Sequence, residues 1–177
     1  MRTIVFIAMV SSSLVFAQGT EAPGEEAPVK GAEATGPEAD AAKALVTQYL
    51  NAVKAKKWAD AKKLVHPNTI KAVDERKKRK ATHPMDPQGL EKTEYYLQDF
   101  KVTGVTQGAL GTFVVETSED NYQVDVKGVA PGEMATYLVG KKDGKWYVVD
   151  KLRGERFNNA SVKLGYKGWF DKPAPKE

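Results

Sequence analysis

Hydrophobic residues are spaced as in helices over the first part of the chain and as in strands from residue 95 onward. Steps of three and four residues, typical of one face of a helix, define three segments. Their apolar positions are Ala42, Leu45, Val46, Tyr49, Leu50 and Val53, then Trp58, Ala61, Leu64 and Val65, and finally Ile70 and Val73. Thr35 and Asn68 are the expected N-caps of the first and third helices.

The second part of the chain predicts an antiparallel sheet. Prolines and a glycine make 83–89 a loop, and β-rich runs then predict strands at 95–107, 110–118, 122–127, 134–142 and 145–152. Asp143-Gly144 suits a type I′ turn, so the last two strands form a hairpin. With that two-residue loop, Tyr137 faces Asp150 on the inner face of the sheet.

Helices followed by antiparallel strands predict an α+β fold. We expect N-terminal helices packed on one side of a curved antiparallel sheet of four to six strands, in a domain spanning 37–152. The extension 153–177 contains Phe157, Trp169 and Phe170, which a disordered tail does not need. It is expected to pack on the domain, as an extra strand or as a plug.

The N-terminus predicts export. Arg2, an apolar stretch over 4–10 and small residues near Ala17 form the pattern of a signal peptide spanning 1–17. Residues 18–36, rich in Ala, Pro and Glu, predict a disordered acidic linker. The chain has no cysteine and a net charge of +4. A periplasmic or secreted location without a transmembrane segment is therefore expected.

The chain resembles a known superfamily at both ends of the predicted domain. Residues 44–70 combine a Tyr49-Leu50 pair in a long helix with the pattern K-x-W-x-x-A, and 137–152 include an Asp-Gly-Lys-Trp turn. These features are similar to nuclear transport factor 2-like domains, the cone-shaped superfamily of ketosteroid isomerase and SnoaL-like proteins. The resemblance implies a sheet curled around a pocket closed by helices. It also implies that many secreted members have no known activity.

Asp150 and Tyr137 are the candidate catalytic residues. The isomerases and dehydratases of that superfamily place an acid, a tyrosine or a histidine inside the cone. A carboxylate in an apolar cavity has a raised pKa and can act as a general acid or base, with a phenol orienting the substrate. The alternative is a purely structural pair. His66 and His83 are the only histidines, too few for a metal site, and no cofactor is expected.

A basic run at the end of the third helix is the candidate binding surface. It consists of Lys71, Arg76, Lys77, Lys78, Arg79 and Lys80. Such a run can bind phosphates of lipid head groups or anionic polysaccharide. It lacks the interleaved aromatic residues that bind single-stranded nucleic acid, so no nucleic acid partner is expected. The alternative is a solvated helix end whose cations suit the helix dipole.

Three classes of function remain. The favoured one is an exported, non-enzymatic binding or accessory domain for a small apolar ligand, a partner protein or an envelope component. The alternatives are a small-molecule isomerase or dehydratase using an acid in the cone, and a polyanion-binding surface protein using the basic helix. A second copy bound through the sheet is a further expected partner.

Overall fold

A computed structural model describes residues 33–171 and confirms the α+β class. Four helices precede a sheet of four strands, and one helix follows it. They are α1 (Pro37–Lys54), α2 (Trp58–Lys63), α3 (Pro67–Lys78), α4 (Pro87–Thr93), β1 (Tyr95–Gln107), β2 (Phe113–Gln123), β3 (Gly128–Lys142), β4 (Lys145–Arg153) and α5 (Asn159–Gly165). The strands follow one another in the order β1-β2-β3-β4, all antiparallel, in a curved and unclosed sheet. No helix within 33–171 has the length and apolarity needed to cross a membrane.

Helix α1 lies across the inner face of the sheet and forms the main core with it. Its buried side chains are the predicted ones, with Ala39 added, except that Leu45 is half-buried. They pack on Leu97, Val105, Phe113, Val115, Ala135, Tyr137, Val139 and Val148. Each fully buried large aliphatic side chain contributes about 1.5–3 kcal/mol, so this layer holds the domain together without disulfides.

The β3–β4 hairpin forms as predicted near its turn. Lys142 pairs with Lys145, and Asp143 and Gly144 have the positive φ values, 52° and 72°, that a type I′ turn requires. Val139 pairs with Val148, also as expected.

Beyond Val148, the predicted register is wrong. A β-bulge makes Val149 an extra residue in β4, so that Leu138 pairs with Asp150 and Tyr137 pairs with Lys151. One extra residue moves every following side chain to the opposite face. The Thr69 hydroxyl of α3 donates to the Val149 carbonyl at 2.5 Å, which supplies this bulged residue with a buried hydrogen bond.

Several predicted boundaries also differ. Helix α1 is preceded by Gly36 rather than capped by Thr35. Helix α3 begins at Pro67 with His66 as N-cap, because proline is favoured at the first helical position and Asn68 then lies inside the helix. Helix α4 begins at Pro87 for the same reason, inside the predicted loop.

Strand β2 runs through 119–121, which the sequence suggested was a turn. A second bulge between Glu119 and Asn121 absorbs this polar stretch without ending the strand. Strand β3 in turn starts at Gly128, six residues before the expected strand. Strands β2 and β3 are therefore longer than predicted, and the strand predicted at 122–127 is wrong, because 124–127 forms the turn between them.

The C-terminal extension packs on the outer face of the sheet, so helices cover both faces. We call residues 157–171 the C-terminal strap. Its apolar side chains cover an outer cluster formed by Val114, Leu138 and Val149. It is a helix with flanking segments, not a strand or a plug. Phe170 lies so close to Gly140 that a β-carbon there would be 2.3 Å from its ring.

The last residues of the predicted linker join the sheet. The Ala34 amide donates to the Val105 carbonyl at 2.8 Å, and Glu33 forms a bridge with Thr106. The predicted signal peptide and the rest of the linker lie outside the described residues, as does 172–177.

Candidate functional site

The inner face of the sheet ends in a buried ion pair between Glu119 on β2 and Lys151 on β4. The Lys151 ammonium lies 2.7 Å from Glu119 Oε2, and the Tyr137 hydroxyl of the intervening strand donates to Oε1 at 2.5 Å. The side chain of Glu119 is 0% exposed and that of Lys151 is 8% exposed. The bulge at Val149 is what places Lys151 here, since it moves this lysine onto the Tyr137 face.

Further donors complete the shell of the carboxylate. Thr117 Oγ1 donates to Oε1 at 3.2 Å, and Asn121 Nδ2 donates to Oε2 at 3.4 Å. Burial tends to raise the pKa of Glu119, but Lys151 and the hydrogen-bond donors outweigh it and lower that pKa. Glu119 is therefore ionised and fully engaged, unlike a free general base.

Aromatic rings enclose the lysine side of the pair. The Lys151 ammonium lies 5.5 Å from the Tyr95 ring centroid and 5.3 Å from that of Tyr137. Arg153 stacks on Tyr95 at 3.8 Å and binds both oxygens of Glu133 at 2.8 Å. Burial and the charge of Glu119 raise the pKa of Tyr137, so its hydroxyl is a neutral donor.

A small cavity reaches this network. Its volume is about 30 Å³, and its walls include Tyr49, Tyr95, Tyr137 and Lys151. That is space for about one or two water molecules. The interior of the described sheet is thus filled by side chains and holds no room for a substrate.

A much larger groove lies between α2, α3 and the segment 85–88, with a volume of about 650 Å³. Its apolar lining is formed by Tyr49, Trp58, Ala61, Val65, Ile70, Val73 and Met85. Tyr49, Lys56, Trp58 and Pro87 line both the groove and the small cavity, so the two adjoin.

Charged residues surround the groove. Of its four lining lysines, three are each engaged by a carboxylate: Lys56 by Glu91, Lys62 by Asp74 at 4.0 Å, and Lys77 by Asp86 at 3.0 Å. Lys57 has no carboxylate within ion-pair distance among residues 33–171. The groove therefore combines an apolar floor with one lysine that forms no ion pair within 33–171, since Asp60 beside it binds Lys63 at 2.8 Å.

The predicted catalytic pair is separated by the sheet. Asp150 lies on the outer side with the strap, where the Tyr166 hydroxyl donates to it at 2.5 Å and the Lys151 amide at 2.8 Å. Tyr137 lies in the inner core beside Glu119. The interpretation of Asp150 and Tyr137 as facing partners is wrong because the bulge intervenes.

The basic residues of α3 and of the turn after it have different surroundings. Lys77 reaches the groove, Lys78 binds Glu75 at 2.6 Å, and Arg76 donates to the Thr82 carbonyl at 3.3 Å. Lys71, Arg79 and Lys80 are exposed. Polyanion binding by this helix stays a prediction.

Both histidines have structural partners. His66 Nδ1 accepts the Asn68 amide and Nε2 lies 3.2 Å from the Trp169 carbonyl, so the neutral ring donates there. His66 thus caps the start of α3. His83 Nδ1 accepts the Met85 amide at 3.0 Å. No group of three potential metal-binding side chains occurs within 33–171.

We expect acid to destabilise the fold through these histidines. Burial lowers the pKa of His66 and of His83 below the usual 6.5. The unfolded chain then binds more protons, so the free energy of unfolding falls as pH drops below 6.5. A His66→Asn variant keeps an N-cap without this titration. Chemical denaturation across pH should show a shallower slope for it, and an unchanged slope would contradict the assignment.

The sequence offered unequal signals for these residues. Val115, Thr117, Glu119 and Asn121 alternate with outward positions, so an uninterrupted β2 would have placed Glu119 inside. Nothing in the sequence around Lys151 marks the bulge. The walls of the groove come from α2, α3 and the segment 85–88, and the sequence does not show how far apart these lie in the fold.

No protein family, curated protein or solved structure matches this chain. The geometry of the described residues is therefore the basis for assigning a function. Within that geometry, the groove offers space and the buried ion pair does not.

Proposed function

We propose that this protein is a non-enzymatic binding domain that holds a small apolar ligand in the groove between α2 and α3. The observation that carries the proposal is the groove's volume of about 650 Å³ over an apolar floor. Small-molecule sites commonly have volumes of about 300–1,000 Å³ and a mainly apolar lining.

The buried acid supports binding rather than catalysis. Glu119 is held by Lys151, Tyr137 and two further donors, and the adjoining cavity is too small for a substrate. A general base must reach the proton that it removes, and this carboxylate faces only its protein partners among the described residues.

Two expectations from the sequence belong to the same proposal. Membership of the nuclear transport factor 2-like superfamily is supported by the order of elements, with helices first and antiparallel strands after them. Export is supported by the signal-like pattern of residues 1–17. Together they describe an exported carrier or accessory domain.

Titration with the neutral fluorophore N-phenyl-1-naphthylamine tests the proposal. We expect saturable binding at one site, with increased and blue-shifted emission. Ile70→Trp should weaken binding at least about tenfold, because the half-buried Ile70 lines the groove and a larger side chain fills it. Folding of this variant is checked by its thermal unfolding midpoint.

Leu164→Trp is the matched control, since Leu164 lies on α5 and is 88% exposed. It should leave binding unchanged. Equal effects of the two variants, or none from Ile70→Trp, would place the fluorophore elsewhere and refute the groove as the binding site.

A further inference from the structure

We infer that the ligand of the groove is an acidic amphipath, with an apolar body along α2 and α3 and a carboxylate bound by Lys57. This inference rests on the proposed function and adds the chemical class of the ligand. It depends on how charge is distributed around the groove.

The distribution of charge favours one negative group. The lining contains four lysines and three aspartates. Lys62 and Lys77 have Asp74 and Asp86 as partners, and Lys56 has Glu91 of α4. Within residues 33–171, these three ammonium groups form ion pairs and that of Lys57 forms none, because the neighbouring carboxylate of Asp60 binds Lys63 at 2.8 Å. Lys57 is therefore the lining lysine that is available to bind an anion in the groove.

The backbone places Lys57 beside the apolar floor. Lys56 follows α1 in a left-handed conformation, with φ 56°, at a position where glycine is usual. The Lys57 amide then donates to the Ala52 carbonyl at 2.8 Å, and α2 begins at Trp58. This turn makes Lys56, Lys57 and Trp58 consecutive lining residues, so a cation and an indole lie next to each other.

The rest of the groove suits an apolar chain. From Trp58, the lining continues along Ala61 of α2 and Val65 just after it, and then along Ile70 and Val73 of α3. Ala61, Val65 and Val73 are buried, with exposures of 2%, 5% and 7%. A ligand whose acid contacts Lys57 can thus lay its hydrocarbon against side chains that offer no competing polar group.

Most of the affinity should come from the apolar body, and the acid should select the ligand class. Because Lys57 is exposed, its ion pair with a carboxylate is screened by water and salt. Exposed ion pairs contribute modestly. We therefore expect a preference of about two- to fivefold for the acid over a neutral analogue of the same length.

Competition between dodecanoate and dodecanol for bound N-phenyl-1-naphthylamine tests this inference. Wild-type protein should release the fluorophore at about two- to fivefold lower concentrations of dodecanoate than of dodecanol. Lys57→Met should remove that preference, so that dodecanoate and dodecanol compete at similar concentrations. Lys163→Met, a change of an exposed lysine on α5, should retain it. Added salt should weaken the preference in the wild type.

The outcomes separate the inference from the proposed function. Equal competition by the two compounds, or a preference that survives Lys57→Met, overturns the acidic amphipath but leaves an apolar ligand in the groove. If the fluorophore binds in the groove but neither dodecanoate nor dodecanol displaces it, a ligand with a single hydrocarbon chain is overturned. Failure of the fluorophore itself to bind overturns both.

Discussion

Lys151→Met is expected to lower the free energy of unfolding by about 3–5 kcal/mol, the usual cost of removing one partner from a buried ion pair. The variant leaves the carboxylate of Glu119, 0% exposed, without its cation. Methionine fills much of the same space, so the loss reflects charge rather than a cavity. Urea denaturation at neutral pH measures it.

A double replacement separates the charge from the packing. Glu119→Gln combined with Lys151→Met removes both charges of the pair, and replacing a whole buried pair is often nearly neutral. We therefore expect the double variant to recover most of the lost stability. Lys101→Met, at an exposed position on β1, should change stability by less than about 0.5 kcal/mol. A loss in the double variant as large as in Lys151→Met would show that packing is responsible.

The pH dependence gives an independent readout of the same pair. In the wild type, the lowered pKa of Glu119 means that its contribution is present above 4.5 and is lost as pH falls below that value. In Lys151→Met, burial without the cation raises the pKa of Glu119. Protonation then relieves the cost as pH falls, so the stability gap between variant and wild type should narrow in acid.

Truncation after Gly154 is expected to lower the free energy of unfolding by at least about 3 kcal/mol, comparable with the loss of one buried large side chain. The shortened chain lacks the C-terminal strap, which covers Val114, Leu138 and Val149 on the outer face. It also lacks Trp169, which stacks on His66 at 5.2 Å. Thermal and urea denaturation measure the change.

Dye binding shows whether the outer face becomes exposed. We expect 1-anilinonaphthalene-8-sulfonate to bind the truncated protein, measured in an Ile70→Trp background so that the groove does not contribute. Truncation after Asp171, which keeps every described contact of the strap, is the control and should leave stability and dye emission unchanged. If the Gly154 truncation matches this control in both measurements, the strap does not cover the face in solution.

Local patterns determined how much could be predicted. The apolar face of α1 and the Asp143-Gly144 turn are each determined by residues a few positions apart in the sequence, and both formed as expected. The bulge that shifts the register of β4 is instead in contact with Thr69 of α3, whose hydroxyl donates to the Val149 carbonyl. A contact between residues 80 positions apart leaves no signal in the local alternation of β4.

The same reason explains why the candidate site was missed. Glu119 lies in a polar stretch typical of a turn, and the β-bulge that keeps it in a strand is a property of the paired sheet. The groove depends on how α2 and α3 are placed against the segment 85–88. The K-x-W-x-x-A pattern could be recognised in the sequence, whereas the cavity beside it could not.

The pairing of Glu33 with Thr106 also determines how the molecule can be attached to a surface. The backbone amide of Asp171, the last described residue, donates to the Lys141 carbonyl near the same end of the sheet. Lys56 lies over Tyr96, at the opposite end of β1 and roughly 30 Å away at strand spacing. A protein immobilised or fused through either end of this region would therefore present the Lys56–Lys57 side of the groove away from its support.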